Sequence, residues 1–270
     1  MSVDLHIHTN ASDGSLSPGE VVKKAIDLGY KAIAITDHDT VAGIIPALQV
    51  ARKSSLEVIP GIEINTDIED RELHILGYFI DYTKPDLLKE LSSLKKMREK
   101  RARKMVQKLR NMGINIEWEE VINIAGQGTI GRSHICQAII NKGYADSWKE
   151  VFEKYIGKNS PAYVPRKKLT PLKAIKLIKE CSGIPVIAHP GLVGDDDLVK
   201  WIIKHGIEGL EVFYYEHSEE ECQKYLNMAK ENNLVVTGGS DDHGPGNKDG
   251  LRLGKIRLDY TVVEELRKRV

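Results

Sequence analysis

The run VDLHIHTNASDG, residues 3–14, moves from an apolar extended stretch through two histidines into a Ser-Asp-Gly turn. Residues 3–7 read as a strand. His6 and His8 stand two apart, so on an extended chain both side chains project to the same face. Asp13 follows in the turn. Two imidazoles on one face at a strand end rarely pack there for structural reasons alone.

Working outward, the same strand-then-loop pattern recurs. Further strands are expected at 31–36, 57–63, 73–79, 184–188, 208–214 and 234–238, with helical patterns at 18–28, 40–53, 170–181, 195–205 and 218–232. Ser17 is a plausible N-cap with Pro18 in the first turn, and Gly29, Gly183 and Gly206 stand where helix C-caps belong. Alternating strands and helices imply an α/β fold with a parallel sheet. Seven strands with crossover helices suggest a TIM-like barrel, one strand short of eight.

The alternation breaks between about 84 and 166. Helical segments 84–112, 117–125, 131–143 and 147–156 follow one another without a convincing strand. The expected organisation is a catalytic barrel of 1–83 and 167–270 with an inserted helical cap at 84–166. The first cap helix carries KKMREKRARKMVQKLR, Lys95 to Arg110, with nine bases and one acid. The whole chain has 270 residues and balances 39 bases against 39 acids, so a basic arm sits on an acidic body. That helix is either a solvated face or a guide for polyanions. The loop 243–250, HGPGNKDG, is expected to be mobile.

A chain that is 41% hydrophobic and 29% charged is an ordinary globule rather than a polycation or an acidic tail. No apolar run approaches the ~20 residues of a spanning helix, and no leader-like stretch opens the chain. Cys136, Cys181 and Cys222 lie far apart without a CxxC pair, so neither a disulfide framework nor a thiolate zinc site is expected. A cytoplasmic location follows, with no membrane and no obligate protein partner evident.

Candidate ligands gather at the expected strand ends. His38 lies in TDHD after the second strand, Glu63 ends the third and His74 lies in the fourth. His189 stands in AHPG after the fifth strand, and Asp241 and His243 follow the last. The carboxyl ends of strands form the functional rim of such folds. Six segments delivering imidazole or carboxylate to one rim suit a multinuclear metal site. Alternation with His243 favours Asp241 over Asp242 as a ligand. Asp37, Asp39 and Asp242 read either as partners that orient histidines or as surface carboxylates. His205 suits a helix end. His217 opens a helix after the sixth strand, where packing and substrate contact both stand open. Tyr163, Tyr214 and Tyr215 are candidates for base stacking near the rim, with packing as the alternative.

The runs HIHTNASDG (6–14), ITDHDT (35–40), GIEI (61–64), AHPG (188–191) and GSDDH (239–243) resemble the PHP family, for polymerase and histidinol phosphatase. That resemblance implies a distorted (β/α)7 barrel with a trinuclear metal centre. By it, His6, His8, Glu63 and Asp241 would hold one metal, Glu63, His74 and His189 a second, and Asp13, His38 and His243 a third. TIGRSH (129–134) and PAYVP (161–165) resemble a branch with 3′,5′-nucleotide bisphosphate phosphatases, nucleoside monophosphate phosphatases and the 5′–3′ exoribonuclease RNase AM. Arg132 and His134 would then grip phosphate. Ser133 stands where many relatives carry proline.

The implied function is metal-dependent hydrolysis of phosphate esters in nucleotides or short 5′-phosphorylated RNA. Metal binding lowers the pKa of water toward ~7, so no protein general base is needed. Arg132 would add a bidentate contact, and His134, or else His217, would protonate the leaving hydroxyl. Mixed imidazole and carboxylate donors suit Mn²⁺, with Fe²⁺ or Zn²⁺ as alternatives, over Ca²⁺ or Mg²⁺ alone. Histidinol-phosphate phosphatase is the competing enzyme reading, and a non-catalytic metal-binding accessory module is the competing class.

Overall fold

The structure is a computed structural model that describes residues 2–68, 71–126, 128–165, 169–245 and 250–270. Two compact units divide the chain, Met1–Leu88 with Lys168–Val270, and Lys89–Lys167. The expected end of the helical insertion at 166, and residues 246–249 of the 243–250 loop, lie outside the described residues.

In chain order the strands are β1 (Ser2–Ile7), β2 (Ala32–Ile35), β3 (Glu57–Ile68), β4 (Arg71–Tyr78), β5 (Ile184–Ile187), β6 (Gly209–Tyr214), β7 (Val235–Gly239) and β8 (Leu258–Asp259). The helices are α1 (Pro18–Asp27), α2 (Ile44–Ala51), α3 (Pro85–Asn111), α4 (Trp118–Ala125), α5 (Arg132–Asn141), α6 (Trp148–Val151), α7 (Pro171–Glu180), α8 (Asp196–Ile203), α9 (Glu219–Glu231) and α10 (Thr261–Arg267). A π-turn, Phe152–Ile156, continues α6, and a 3-10 turn spans Pro190–Val193.

Capping chemistry sets where helices start. Ser17 and Glu20 form a reciprocal capping box ahead of α1 with Pro18 in its first turn, and Ser218 with Glu221 does the same for α9. Thr170 and Asp195 cap α7 and α8 through their side-chain oxygens.

The sheet runs β7-β6-β5-β4-β3-β2-β1-β8. Ladders β1–β2–β3 and β5–β6–β7 are parallel, as expected. The fourth strand departs from the all-parallel expectation, because β4 runs antiparallel to both β3 and β5. Only positions 69–70 separate β3 from β4, far too few for a crossover helix, so the chain must fold straight back. A two-residue β8, antiparallel to β1, also goes beyond the seven expected strands.

The sheet curls into a nearly closed barrel. One buried cluster joins Val3 and Leu5 with Ala34, Ile59, Leu76, Val186 and Val235. Residues from strands so far apart in sheet order meet only inside a curled sheet. Val263 and Leu266 of α10 join that cluster. Strand alternation sends Ile33 and Ile35 to the other face, where they pack with Val21 and Val22 of α1 and Ala47 of α2. At the seam, β7 meets β1 without a ladder. The Asp4 carboxylate accepts the Ser240 N–H at 2.9 Å, and His8 N–H donates to the Asp242 carbonyl at 2.9 Å. A Cβ on Gly239 would collide with His6, so this close approach requires glycine.

The second unit has its own core, built from Met105, Leu109, Ile116, Val121, Ile135, Ile139, Val151 and Ile156. Among the described residues no helix is long and apolar enough to cross a membrane.

Candidate metal centre

Glu63, fully buried on β3, is the hub of a histidine cluster. Its Oε1 lies 2.8 Å from His74 Nδ1 and 3.1 Å from His189 Nε2. Its Oε2 lies 2.8 Å from His38 Nδ1, 3.2 Å from His8 Nε2 and 3.4 Å from His6 Nε2. One carboxylate therefore faces two sets of imidazoles, one set on each oxygen. Asp241 Oδ1 approaches His8 Nε2 at 2.9 Å and His6 Nε2 at 3.4 Å, while its Oδ2 accepts the Tyr214 hydroxyl at 3.1 Å. Asp13 Oδ1 faces His243 Nε2 at 3.5 Å.

Among the described residues, three overlapping groups have donor atoms within 4.8 Å of one another: His6, His8, Glu63 and Asp241; His38, Glu63 and His74; and His8, Asp13, His38 and His243. His6 Nε2 and His8 Nε2 are 3.2 Å apart. They converge with two carboxylate oxygens on one point. Such a convergence of lone pairs fits a cation, and a donor set of imidazole and carboxylate without thiolate fits a divalent one.

Charge within the cluster is strongly coupled. Burial alone would push Glu63 up, but the imidazoles of His38, His74 and His6 hold it well below the usual carboxylate range. Asp241 is held down in the same way by His6, His243 and His8, and Asp13 by His38 and His243. Burial disfavours the imidazolium of His8, yet Asp241 and Glu63 push it up to about 10; Glu63 and Glu72 push His74 up to about 9. For His38 burial wins and the shift is downward.

The loops that present these groups are braced from beneath. Asp37 is buried and accepts Thr9 N–H and Thr9 hydroxyl, both at 2.7 Å, and Ser12 hydroxyl at 2.6 Å, which fixes the turn leading to Asp13. In that turn a Cβ on Gly14 would lie 2.8 Å from the His8 carbonyl oxygen. Asp39 accepts the Asn65 N–H at 3.0 Å. The Asp242 carboxylate accepts the Arg252 N–H at 2.6 Å, so its neighbour Asp241 is the one that reaches the cluster. Asp39, His189 and Asp241 all adopt left-handed backbone, with φ of 51°, 26° and 50°. Strain of this kind, outside glycine, concentrates at functional sites.

One participant was missed from the sequence. Glu211, fully buried on β6, lies with Oε1 3.0 Å from His6 Nδ1, and its Oε2 accepts the His189 N–H at 2.8 Å. A lone carboxylate inside the apolar strand GLEVFY was the available signal, since buried charges need partners.

Both ring nitrogens of His217 are engaged by backbone. Its Nδ1 donates to the Val212 carbonyl at 2.8 Å, and its Nε2 accepts the Gly191 N–H at 3.1 Å. It braces the AHPG turn. His205 is exposed and bonds through Nδ1 to the Trp201 carbonyl. Tyr214 is buried against His189, whereas Tyr215 is exposed beneath the Arg252 guanidinium.

In the helical unit, Arg132 opens α5 with its guanidinium 5.3 Å from the Phe152 ring centre. His134 Nδ1 accepts the Gly131 N–H at 3.0 Å, which leaves the proton of the neutral ring on Nε2. Tyr163 is half-buried, with Arg101 5.6 Å from its ring centre.

Comparisons with known proteins identify the family of the chain. The PHP domain model matches residues 4–169. The 5′-3′ exoribonuclease Rnm of Salmonella typhimurium is 34% identical over 251 residues, covering 90% of this chain and 85% of its own. The 3′,5′-nucleoside bisphosphate phosphatase of Chromobacterium violaceum is 30% identical over 254 residues, covering 91% and 88%. A Bifidobacterium adolescentis crystal structure, described as a metal-dependent phosphoesterase, superposes with a TM-score of 0.91 at 30% identity over 99% of this chain and 96% of that one. With histidines and carboxylates gathered on one rim of the barrel and these matches along its length, the chain belongs to the PHP domain family.

Proposed function

We propose that this enzyme is a metal-dependent phosphoesterase that cleaves the 3′ phosphoester beside a 5′-phosphorylated nucleoside. Its substrates are 3′,5′-bisphosphonucleotides and short 5′-phosphorylated RNA. The observation that carries the reading is the Glu63 carboxylate with a separate set of imidazoles on each oxygen. The substrate class rests on the likeness to an exoribonuclease and to a bisphosphate phosphatase. Three free cysteines accord with a reducing cytoplasm.

Three divalent ions, with Mn²⁺ favoured, would be held by His6, His8, Glu63 and Asp241, by Glu63, His74 and His189, and by Asp13, His38 and His243. Bound there, such ions supply charge neutralisation at phosphoryl oxygens and acidify water. The remaining work falls to side chains. Arg132 offers a planar, permanently charged fork to a phosphate. His134 presents its Nε2 proton to the substrate, where it can stabilise or protonate the leaving 3′ oxygen. His217 does not share that task, because its Nε2 already accepts a backbone N–H. Tyr163 is left as a substrate contact.

Product analysis tests the reading. Manganese-loaded protein is incubated with a 3′,5′-bisphosphonucleoside and with a 5′-phosphorylated oligonucleotide, and products are resolved by ion exchange. Inorganic phosphate from the first and 5′-mononucleotides from the second are expected. Intact substrates alongside hydrolysis of histidinol phosphate would overturn it.

A further inference from the structure

Between Lys95 and Arg110, the surface of α3 that faces away from the core of the second unit is almost entirely basic. Ala102, Met105, Val106 and Leu109 are buried on one side of the helix. At helical periodicity the opposite side carries Lys96, Lys100, Arg103, Lys104, Gln107 and Arg110, all exposed. Arg103 lies 4.1 Å from the Trp118 ring centre, and Arg110 pairs with Glu117 at 2.9 Å. Lys96, Lys100 and Lys104 have no partner among the described residues.

Several exposed lysines elsewhere among the described residues sit within one helical turn of an acid. Lys149 pairs with Glu153, Lys154 with Glu150, Lys176 with Glu180, Lys200 with Asp197 and Lys268 with Glu265, each three or four residues apart. On α3 the residues three and four positions from Lys100 are Met97, Arg103, Lys96 and Lys104, so its charged neighbours repel and none pairs with it. A helix that only needed a solvated face would gain from the acid-base spacing used at those five lysines. This one keeps a row of like charges that an external polyanion would relieve.

We infer that the Lys96–Lys100–Lys104 row is a binding surface for the phosphodiester backbone of single-stranded RNA. The row sets one cation about every 6 Å, four residues at 1.5 Å rise, which suits a ligand with regularly repeated negative charge. A membrane surface is the poorer match, because an interfacial helix needs an exposed apolar face and the stretch 95–110 exposes no large apolar side chain. The outer face also lacks aromatic side chains on which bases could stack, so binding is indifferent to sequence and governed by charge. This inference rests on the proposed phosphoesterase function and deepens it: an extended strand, and not only a mononucleotide, is the substrate that uses this helix.

The test compares the metal-loaded wild-type chain with the K96Q/K100Q/K104Q variant on two substrates. One is a twelve-nucleotide 5′-phosphorylated RNA and the other a 3′,5′-bisphosphonucleoside. Glutamine keeps the helix propensity of lysine, and turnover of the bisphosphate reports that the variant is folded. The variant should raise KM for the RNA roughly ten-fold or more and leave the bisphosphate kinetics unchanged. Three lost contacts at ~0.7 each should flatten the slope of log kcat/KM against log salt by about 2 for the RNA. Equal salt slopes for both proteins, or equal losses on both substrates, would overturn the inference. If the wild type turns over neither substrate, the phosphoesterase reading fails. Fluorescence anisotropy of the labelled RNA on both proteins then still decides whether the lysine row binds it.

Discussion

The Glu211 carboxylate fixes the His6 imidazole: Oε1 lies 3.0 Å from Nδ1, and both groups are fully buried. The same carboxylate accepts the His189 N–H at 2.8 Å, so it ties the end of β1 to the AHPG turn after β5. Glu211 accepts the Nδ1 proton, and His6 Nε2 faces the Glu63 and Asp241 oxygens at 3.4 Å, where a bound metal would take the place of the Nε2 proton.

Glu211→Gln should therefore reverse the tautomer. The amide NH2 can donate to Nδ1, which moves the ring proton to Nε2 and removes a metal donor. Metal affinity, measured by calorimetric titration, should fall by roughly 10–100-fold. In the metal-loaded protein, ¹⁵N shifts of the His6 ring should show the proton on Nδ1 in the wild type and on Nε2 in the variant. Unchanged affinity with an unchanged His6 spectrum would remove Glu211 from the site.

Glu63→Gln strikes at the shared carboxylate. It replaces a charge that five imidazoles approach within 3.4 Å with a neutral amide. More than one metal ion per chain should be lost by elemental analysis, with phosphoester hydrolysis falling below detection. Loss of a single ion would show that Glu63 does not bridge.

The pH dependence of stability should change sign with metal. His8 and His74 have folded pKa values pushed up to about 10 and about 9, from an ordinary value of 6.5. A raised histidine stabilises the fold fully below 6.5, and that contribution is lost as pH rises through the folded pKa. Metal-free protein should therefore lose thermal stability between about pH 7 and pH 10. Bound metal requires neutral imidazoles, so loaded protein should hold or gain stability over that range. Parallel curves of Tm against pH for the two forms would contradict this.

Arg132 and His134 should separate by kinetic signature. Removing a charge-assisted contact of about 1.5–3 kcal/mol, Arg132→Ala should lower kcat/KM by roughly 10–100-fold. His134→Ala removes the Nε2 proton and should act mainly on kcat, by roughly 10²-fold or more. An unchanged kcat/KM in Arg132→Ala would displace that residue from the substrate.

Much of this was legible in the sequence because the signals are local. The strand positions, the capped helix starts and the histidine spacing all follow from period and turn chemistry within a few residues. The reversal of β4 was not, since strand alternation carries no direction and only the short 69–70 connection betrays it. Residues of β8 and α10 were passed over because two paired residues and seven helical ones give little periodicity. His217 showed the limit of type alone: an imidazole near the rim looks the same whether it meets substrate or, as here, two backbone groups. Glu211 was missed for the complementary reason, as one acid in an apolar strand reveals its partner only when β1 and β6 are brought together.

The most direct test of the centre is a metal titration of chelator-stripped protein, following phosphate release from a 3′,5′-bisphosphonucleoside against manganese equivalents. Activity should be absent without metal and rise to a plateau at three equivalents per chain, with Asp13→Ala failing to reach that plateau. Undiminished hydrolysis by the stripped protein, or a plateau at one equivalent, would contradict a multinuclear site built around Glu63.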